Sequence, residues 1–216
     1  MSKKEKRKIS VRAILLTAVL VLGFVWLGAG MPGLNRVTGH LRVAHVKQVQ
    51  LPDWVDAQLI RVDGSSRRGT ELEDIGDVVI HYVGNPGTTA LQNRNWYANP
   101  ESTVSSHFIV GLDGEVIQCV PLWEMSSASN HRNNDTISIE ICHPDETGKF
   151  TRESYDAAVK LTAWLLENCY LTSADIIRHY DITGKDCPRY FVRNEQAWEA
   201  FRQDVDRLIR AGEEKP

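Results

Sequence analysis

Cysteine is scarce in this sequence, which has four cysteines among 216 residues. They stand far apart, in apolar or motif-like segments, at Cys119, Cys142, Cys169 and Cys187. Such wide spacing excludes a small fold held together by a dense disulfide framework. Cys119 and Cys142 both lie on predicted strands, so a bond between these two stays open, beside the alternative of buried free thiols.

Repeats and low-complexity tracts are absent from the sequence, which excludes a solenoid and a long disordered segment. Positive charge is also scarce beyond residue 36. Residues 1–36 carry seven Lys/Arg and one Glu, whereas residues 37–216 carry 18 Lys/Arg and 27 Asp/Glu. The larger part therefore has a net charge of −9. This argues against a nucleic-acid partner, because binding nucleic acid requires a basic face.

One long hydrophobic run stands near the N-terminus, after a basic head at residues 1–12. Residues 13–31 carry no charge, and Thr17 is the only polar side chain among them. As a helix they span roughly 28 Å, about the thickness of a bilayer core, so we predict a single-pass transmembrane anchor. The basic head should stay in the cytoplasm and leave the rest of the chain outside. A cleaved signal peptide is the alternative, since the small residues at 28–30 suit a peptidase, but the run exceeds the usual about 7–15 apolar residues.

Beyond the anchor, the sequence predicts a stalk at 32–50, one domain at 51–210 and a short tail at 211–216. Short β-branched runs predict strands at 77–83 and 136–142, and a hairpin around the Leu-Asp-Gly turn at 112–114. Helical spacing predicts helices within 89–99, 151–170 and 194–210. We therefore predict an α/β fold in which helices flank a mixed central β-sheet.

The same patterns predict where particular side chains point. In TISIEIC, alternation places Glu140 on the strand face opposite the three isoleucines. Leu91 and Trp96 are expected to face inward from the first helix, and Thr151 is expected to cap the second. The last helix has an apolar face that ends at Leu208.

Two separated segments carry residues that bind metals well. HYDITGKDCP, residues 179–188, holds His179, Lys185 and Cys187, and DVVIHYVG places His81 at the end of an apolar run. Two imidazoles and a thiolate form a three-ligand zinc set with an open fourth position, which is typical of catalytic rather than structural zinc. The nearby lysine favours hydrolysis. Taken singly, each of these residues is more often a packed imidazole, a buried thiol or a surface lysine.

Four motifs, taken together, resemble those of one family. They are IHYVGNPGTTA, SSHFIVGLDGEV, NNDTISIEICHP and IRHYDITGKDCPRYF, and their order is similar to that in the zinc-dependent N-acetylmuramoyl-L-alanine amidases. The family shares its fold with the phage lysozyme-type amidases and the peptidoglycan recognition proteins of animals. The resemblance covers about residues 51–210, and the Gram-positive bacterial cell-wall branch is the most similar.

The resemblance implies a role for each residue of the two segments. His81, His179 and Cys187 match the three zinc ligands of the family, with Cys187 at a position where other members use Asp. Lys185 matches the family's catalytic lysine. Glu140 matches the glutamate that acts as the general base in the bacterial branch.

Further positions are matched more loosely. The phage branch uses a tyrosine just before the His-Phe pair, where this chain has Ser106, and this makes Glu140 the better candidate for assisting the reaction. His107 matches a histidine common to both branches, with either a contact to the site or a structural role. Asn85, in the turn after the first core strand, and His131, in the loop SASNHRNND, are candidate substrate contacts.

The implied activity is hydrolysis of the amide between N-acetylmuramic acid and L-alanine, with Zn²⁺ as the cofactor. The implied partners are peptidoglycan, as the substrate, and the bacterial cytoplasmic membrane, with the catalytic domain on its outer side. Two other functions stay open: a non-catalytic peptidoglycan-binding module, and an amidase acting on released muropeptides. The complete ligand set favours the enzyme, and the anchor favours intact wall as its substrate. For the location, secretion after signal cleavage is the alternative.

Overall fold

The computed structural model describes residues 32–62 and 65–213. The chain divides into two compact units, Met1–Thr38 and Gly39–Pro216, and the sheet with its flanking helices belongs to the second. The predicted basic head at 1–12 and the predicted anchor at 13–31 lie outside the described residues. Among the helices of the described ranges, none combines the length and the apolar character needed to cross a membrane.

The secondary structure alternates between strands and helices, as predicted. In chain order the elements are α1 (Pro32–Val46), β1 (Val55–Ala57), β2 (Asp77–Tyr82), α2 (Ala90–Tyr97), β3 (Phe108–Val110), β4 (Val116–Gln118), β5 (Thr136–Ile141), α3 (Arg152–Cys169), β6 (Ile176–Arg178), α4 (His179–Thr183), α5 (Arg189–Arg193) and α6 (Glu195–Glu213). Two short 3-10 helices, Asn130–Arg132 and Ser173–Asp175, precede β5 and β6.

Helix α1 occupies most of the segment that was predicted to be a stalk. Its part from Gly39 onward belongs to the main unit, where Val43 and Val46 are buried in the hydrophobic core. Arg42 of the same helix forms an ion pair with Asp74 at 2.8 Å. Val43 and Val46 are three residues apart and so share a helix face. Two buried valines near the end of a helix of mixed polarity make too short a pattern to predict it from sequence.

The six strands form one sheet in the order β1-β4-β3-β5-β2-β6. Within it, β3 and β4 form the predicted antiparallel hairpin, and the other neighbouring pairs are parallel. The central strands β2 and β5 pair over their full length, from Asp77 opposite Thr136 to Tyr82 opposite Ile141. The prediction of a mixed central sheet flanked by helices is confirmed.

The two faces of the sheet carry different side chains. On β5, the three isoleucines enter the main hydrophobic core, as do Val78 and Ile80 of β2. Because successive side chains point to opposite faces, Glu140 and His81 lie together on the other face. The predicted orientation of Glu140 is confirmed. We call the sheet face that carries His81 and Glu140 the polar face, although a smaller hydrophobic cluster lies on it as well.

Helices α3 and α6 cover the main core. Thr151 caps α3 as predicted, its side-chain oxygen accepting a hydrogen bond from the Ser154 N–H at 3.0 Å. On α6, Phe201 and Val205 are fully buried, whereas Leu208, which was predicted to share their face, is 43% exposed. Leu208 therefore lies outside the buried face, and the next residue, Ile209, packs against the core.

Helix α2 lies on the polar face, and its predicted orientation is wrong. Leu91 and Trp96, expected to face inward, are 49% and 50% exposed, while Ala90, Asn93 and Tyr97 are buried. The buried residues follow the three-to-four residue spacing of one helix face. Leu91 and Trp96 are five positions apart, so they point about 140° from each other at 100° per residue and do not share a face.

All four cysteines are free and buried. Cys119 and Cys142 lie together in a second hydrophobic cluster, on the face opposite the main core, without forming a bond. Of the two alternatives for these thiols, the structure shows the unbonded one.

Candidate active site

The carboxyl ends of three neighbouring strands hold the central residues of the site. In the parallel register of β2 and β5, His81 stands beside Glu140. On its other side, β2 pairs with β6 through Ile80 and Arg178, so the next residue, His179, reaches His81. Neighbouring strands lie about 4.8 Å apart, which brings the three side chains within reach of one another. This edge of a parallel sheet is where open α/β folds form their ligand sites.

Arg178 anchors the end of β6 immediately before His179. Its backbone N–H and its guanidinium both donate to the Asp181 carboxylate, at 2.8 and 2.9 Å. The guanidinium also donates to Glu195 of α6 at 2.8 Å. These bonds hold the start of α4, and therefore the backbone of His179, against the rest of the domain.

A tight return of the chain after α4 brings Cys187 back to the histidines. Gly184 ends α4 with a φ of +74°, a left-handed conformation that costs glycine little. Its N–H donates to the Tyr180 carbonyl at 2.7 Å, and the Tyr180 N–H donates to the Cys187 carbonyl at 2.8 Å. The backbone hydrogen bond between Tyr180 and Cys187 places the thiol next to the start of α4.

The three predicted metal ligands converge. His81, His179 and Cys187 are buried, and one ligand atom from each lies within 4.8 Å of the other two. Cys187 Sγ is 3.9 Å from His81 Nδ1, and the two imidazole ring centres are 4.7 Å apart. Metal bonds of about 2.0–2.1 Å to nitrogen and about 2.3 Å to sulfur can bridge such separations.

The chemistry of these donors suits a bound cation. Burial lowers the pKa of His179 to about 4 and the pKa of His81 well below its usual value, so both imidazoles are neutral and keep a lone pair. Burial and then the charge of Glu140 raise the pKa of the Cys187 thiol to about 12, an effect that a coordinated cation reverses. Among the described residues, Glu140 Oε2, beside these ligands, is buried without a hydrogen-bond partner. The three ligands therefore fit a divalent metal such as zinc.

Glu140 and Lys185 line the same cavity as the three ligands, a space of about 230 Å³. Glu140 Oε1 lies 3.9 Å from His81 Nδ1. Burial raises the pKa of Glu140 to about 8, and the charge of Lys185 acts in the opposite direction. A carboxyl group with a pKa near neutrality can both accept and return a proton, which is what general acid–base catalysis requires.

The more loosely matched candidates lie away from this cavity. His107 is fully buried, with Nδ1 accepting from the Ser138 N–H at 3.0 Å and Nε2 donating to the Glu124 carbonyl at 2.8 Å. Since both ring nitrogens are occupied, the structure favours the structural alternative for His107. Asn85 and His131 are exposed, and neither lines the cavity.

Two residues near the site were missed by sequence reasoning. Asn130, in the same loop as His131, places Oδ1 2.8 Å from His179 Nε2. Tyr97 lines the cavity from α2, with its hydroxyl 3.5 Å from Ser106 Oγ, so a tyrosine does reach the site from another element. The sequence indicates the asparagine-rich loop as a candidate contact, but it favours His131 over the neighbouring Asn130, which is the residue that reaches His179.

Comparison with known proteins identifies the family of this chain. A family model described as N-acetylmuramoyl-L-alanine amidase matches residues 72–190, which include every residue converging on the cavity from β2, β5 and the segment after β6. The chain belongs to this amidase family. The resemblance drawn from the four sequence motifs is thus confirmed.

Curated members of the family include similar proteins from Bacillus. The chain is 28% identical over 167 residues to the N-acetylmuramoyl-L-alanine amidase CwlL of Bacillus licheniformis, covering 69% of this chain and 46% of that protein. It is 29% identical over 167 residues to the N-acetylmuramoyl-L-alanine amidase BlyA of Bacillus subtilis (strain 168), covering 68% and 45%. The chain thus spans about half the length of these relatives, and their source agrees with the predicted Gram-positive branch.

Solved structures of family members have the same fold. The catalytic domain of XlyA superposes with a TM-score of 0.62 at 25% identity, covering 70% of this chain and 98% of that domain. A mutant endolysin from Bacillus subtilis superposes with a TM-score of 0.62 at 26% identity, covering 70% and 97%. Both superpositions take in nearly the whole of the solved chain, so the similarity extends over the entire fold of those solved chains.

Proposed function

We propose that this protein is a zinc-dependent N-acetylmuramoyl-L-alanine amidase that hydrolyses the amide between N-acetylmuramic acid and L-alanine in peptidoglycan. The observation that carries the proposal is the convergence of His81, His179 and Cys187 with Glu140 and Lys185 on one cavity. Membership of the amidase family and the names of its Bacillus relatives support the reaction and the substrate. The complete set of ligands favours an enzyme over a non-catalytic binding module.

His81, His179 and Cys187 are the residues that would hold zinc. Bound zinc supplies Lewis acidity, which polarises a carbonyl and makes water a nucleophile near neutral pH. The imidazoles are already neutral because burial lowers their pKa values, so they bind a cation without first losing a proton. The polar face of the sheet thereby provides a preorganised set of donors.

Glu140 is proposed to move the protons of the reaction. Its carboxylate lies beside His81 and faces the cavity, where it can accept a proton from the attacking water. The same group can then deliver that proton to the L-alanine nitrogen as the amide bond breaks. Its burial keeps its pKa high enough to make the return of the proton favourable.

Lys185 is proposed to stabilise negative charge on the carbonyl oxygen of the substrate. Its side chain is exposed at the cavity and extends from the turn that also carries Cys187. A fixed positive charge close to a developing oxyanion lowers the energy of the transition state more than that of the substrate. Burial has the largest effect on the pKa values of Glu140 and His179, and the charge of Lys185, which lowers both, has the second largest. The ammonium group therefore lies near both side chains.

Replacing Lys185 with alanine should therefore lower turnover while leaving zinc bound. We expect a loss in kcat of about 10²–10³-fold, the range measured when one oxyanion donor is removed. The measurement is kcat on purified peptidoglycan together with the zinc content of the variant. Lys149→Ala is the matched control, since Lys149 is also exposed but does not line this cavity. Loss of zinc from Lys185→Ala would instead indicate a role in holding the turn.

The reaction itself is tested by incubating the full chain with purified peptidoglycan, with and without a chelator. We expect mass spectrometry to identify new free amino groups on L-alanine and intact lactyl groups on muramic acid. The chelator should stop their appearance, and added zinc should restore it. New reducing sugar ends would show glycan cleavage instead, and products from soluble muropeptides alone would favour the other amidase function.

The N-terminal run is proposed to anchor the catalytic domain, at about residues 51–210, outside the bacterial cytoplasmic membrane. The support is the sequence pattern: an uncharged stretch at 13–31 preceded by a basic head. The wall substrate lies on the same side of the membrane as the orientation predicted for the domain. Secretion after cleavage of this segment is the alternative.

If residues 13–31 form an uncleaved anchor, the full-length protein should remain with membranes after a high-salt wash, because the anchor is held by apolar contact and not by charge. Mass spectrometry should find the original N-terminus, and protease added to intact protoplasts should digest the catalytic domain. An N-terminus near residue 31 would indicate cleavage. A domain protected from the protease would contradict the proposed location.

A further inference from the structure

Asn130 stands directly behind one of the three metal ligands. Its Oδ1 lies 2.8 Å from His179 Nε2. An amide oxygen only accepts hydrogen bonds, so Nε2 must carry the imidazole hydrogen. An imidazole that binds a metal is neutral, so the lone pair is on Nδ1, which is then the nitrogen available to a cation.

The backbone of Asn130 aims its side chain. Asn130 has a φ of +55°, in the left-handed region, at the start of the 3-10 helix Asn130–Arg132. Asparagine tolerates this conformation better than most other residues with a side chain. Asn133 closes the turn, with Oδ1 accepting from the backbone N–H groups of Ala128 and Ser129 at 3.1 and 2.6 Å.

The same loop is fastened to the strand that carries another ligand. Arg132 forms ion pairs with Asp135 at 2.8 Å and with Asp77 at 2.5 Å. Asp77 is the first residue of β2, and His81 lies further along that strand. The loop that carries Asn130 is therefore fastened to β2 by side chains of the domain itself.

His81 provides a contrast. Its Nδ1 lies 3.9 Å from Cys187 Sγ, but its other nitrogen, Nε2, is buried without a partner in the described part of the chain. Of the two imidazole ligands, His179 is thus the one whose Nε2, the nitrogen not offered to the metal, has a hydrogen bond to a described side chain. The two histidines differ in how their ring orientation is fixed.

We infer that Asn130 is a positioning residue for the metal, holding His179 in the tautomer and orientation that present Nδ1 to the cation. The inference rests on the proposed function, since it takes the converging residues to be metal ligands. Histidine ligands commonly donate their second N–H to an acceptor, and removing that acceptor costs about 10–100-fold in metal affinity or activity. Asn130 is such an acceptor.

Asn130→Gly is the informative variant, because glycine adopts a φ of +55° without strain and removes only the acceptor. We expect its zinc affinity, measured by competition with a chelator, to fall about 10–100-fold. Asn130→Asp keeps an oxygen acceptor at the same position and should restore most of the affinity. His131→Ala is the matched control, because His131 is exposed in the same loop and should leave the affinity unchanged.

The tautomer can be read in the metal-free protein by nitrogen NMR of the histidine rings. Wild-type His179 should be protonated on Nε2, and Asn130→Gly should lose that preference. Wild-type affinity in Asn130→Gly, or a wild-type ring protonated on Nδ1, would overturn the inference. An equal loss in His131→Ala would also overturn it, since the effect would then come from the loop as a whole. Neither readout uses substrate, so the inference and the proposed reaction can fail separately.

Discussion

Cys187→Ala is expected to lose zinc and, with it, almost all amidase activity. The variant keeps His81 and His179, but two imidazoles do not complete the three-ligand set of a catalytic zinc site. The loss in zinc affinity should exceed the roughly 10²-fold that removal of an outer partner can cost. Metal analysis of the purified variant and its kcat on peptidoglycan measure the two effects.

Cys169→Ala is the matched control for this experiment. Cys169 is also a buried free thiol, but it is the last residue of α3 and belongs to the main core. We expect it to lower stability through a small cavity while retaining zinc and wild-type turnover. A Cys187→Ala variant with one tightly bound zinc and unchanged turnover would show that the thiol is not a ligand.

Glu140→Gln is expected to retain zinc and lose turnover by about 10²–10⁴-fold, the usual contribution of general acid–base catalysis. Glutamine has nearly the same shape, but its amide neither accepts nor delivers a proton under these conditions. The ligand positions should be unaffected, because Glu140 is held by the backbone pairing of β5 with β2. The measurement is kcat at several pH values, with zinc content checked in parallel.

Glu124→Gln separates loss of catalysis from loss of a buried carboxylate. Glu124 is also buried, and it pairs with Arg67 at 2.7 Å without lining the cavity. This variant should be less stable, since the guanidinium loses its charged partner, yet each folded molecule should retain its turnover. If Glu140→Gln keeps near-normal kcat, Glu140 has no part in the reaction.

Much of the fold could be predicted because its signals are local. The β-branched runs and their alternation identified β2 and β5, and the period of two alone placed Glu140 opposite the core. Thr151 was recognisable as a cap from its place before a helical pattern. Local sequence patterns do not predict that His81 lies next to residues about a hundred positions later in the chain. The family resemblance predicted that proximity.

The errors have physical causes that a single sequence does not display. Helix α2 lies against a sheet face that is partly polar, so its inward side consists of Ala90, Asn93 and Tyr97. A prediction based on hydrophobicity alone therefore placed the wrong side chains inward. The end of α1 is buried through two valines only. Asn130 acts through a left-handed backbone and a hydrogen bond to a distant side chain, neither of which leaves a periodic pattern. The catalytic roles themselves stay predictions until the variants are measured.

The three converging side chains also differ in how firmly the backbone holds them, and this bears on how such sites diverge during evolution. His81 lies in a strand that is paired on both sides, where a shift of one residue would turn its ring to the opposite face of the sheet. His179 follows directly after the neighbouring strand and begins α4. Cys187 comes from the return after Gly184, outside the strand ladder. We expect a shorter or longer donor there to require only a small movement of the turn. The third position should therefore tolerate an exchange between thiolate and carboxylate more readily than either histidine position.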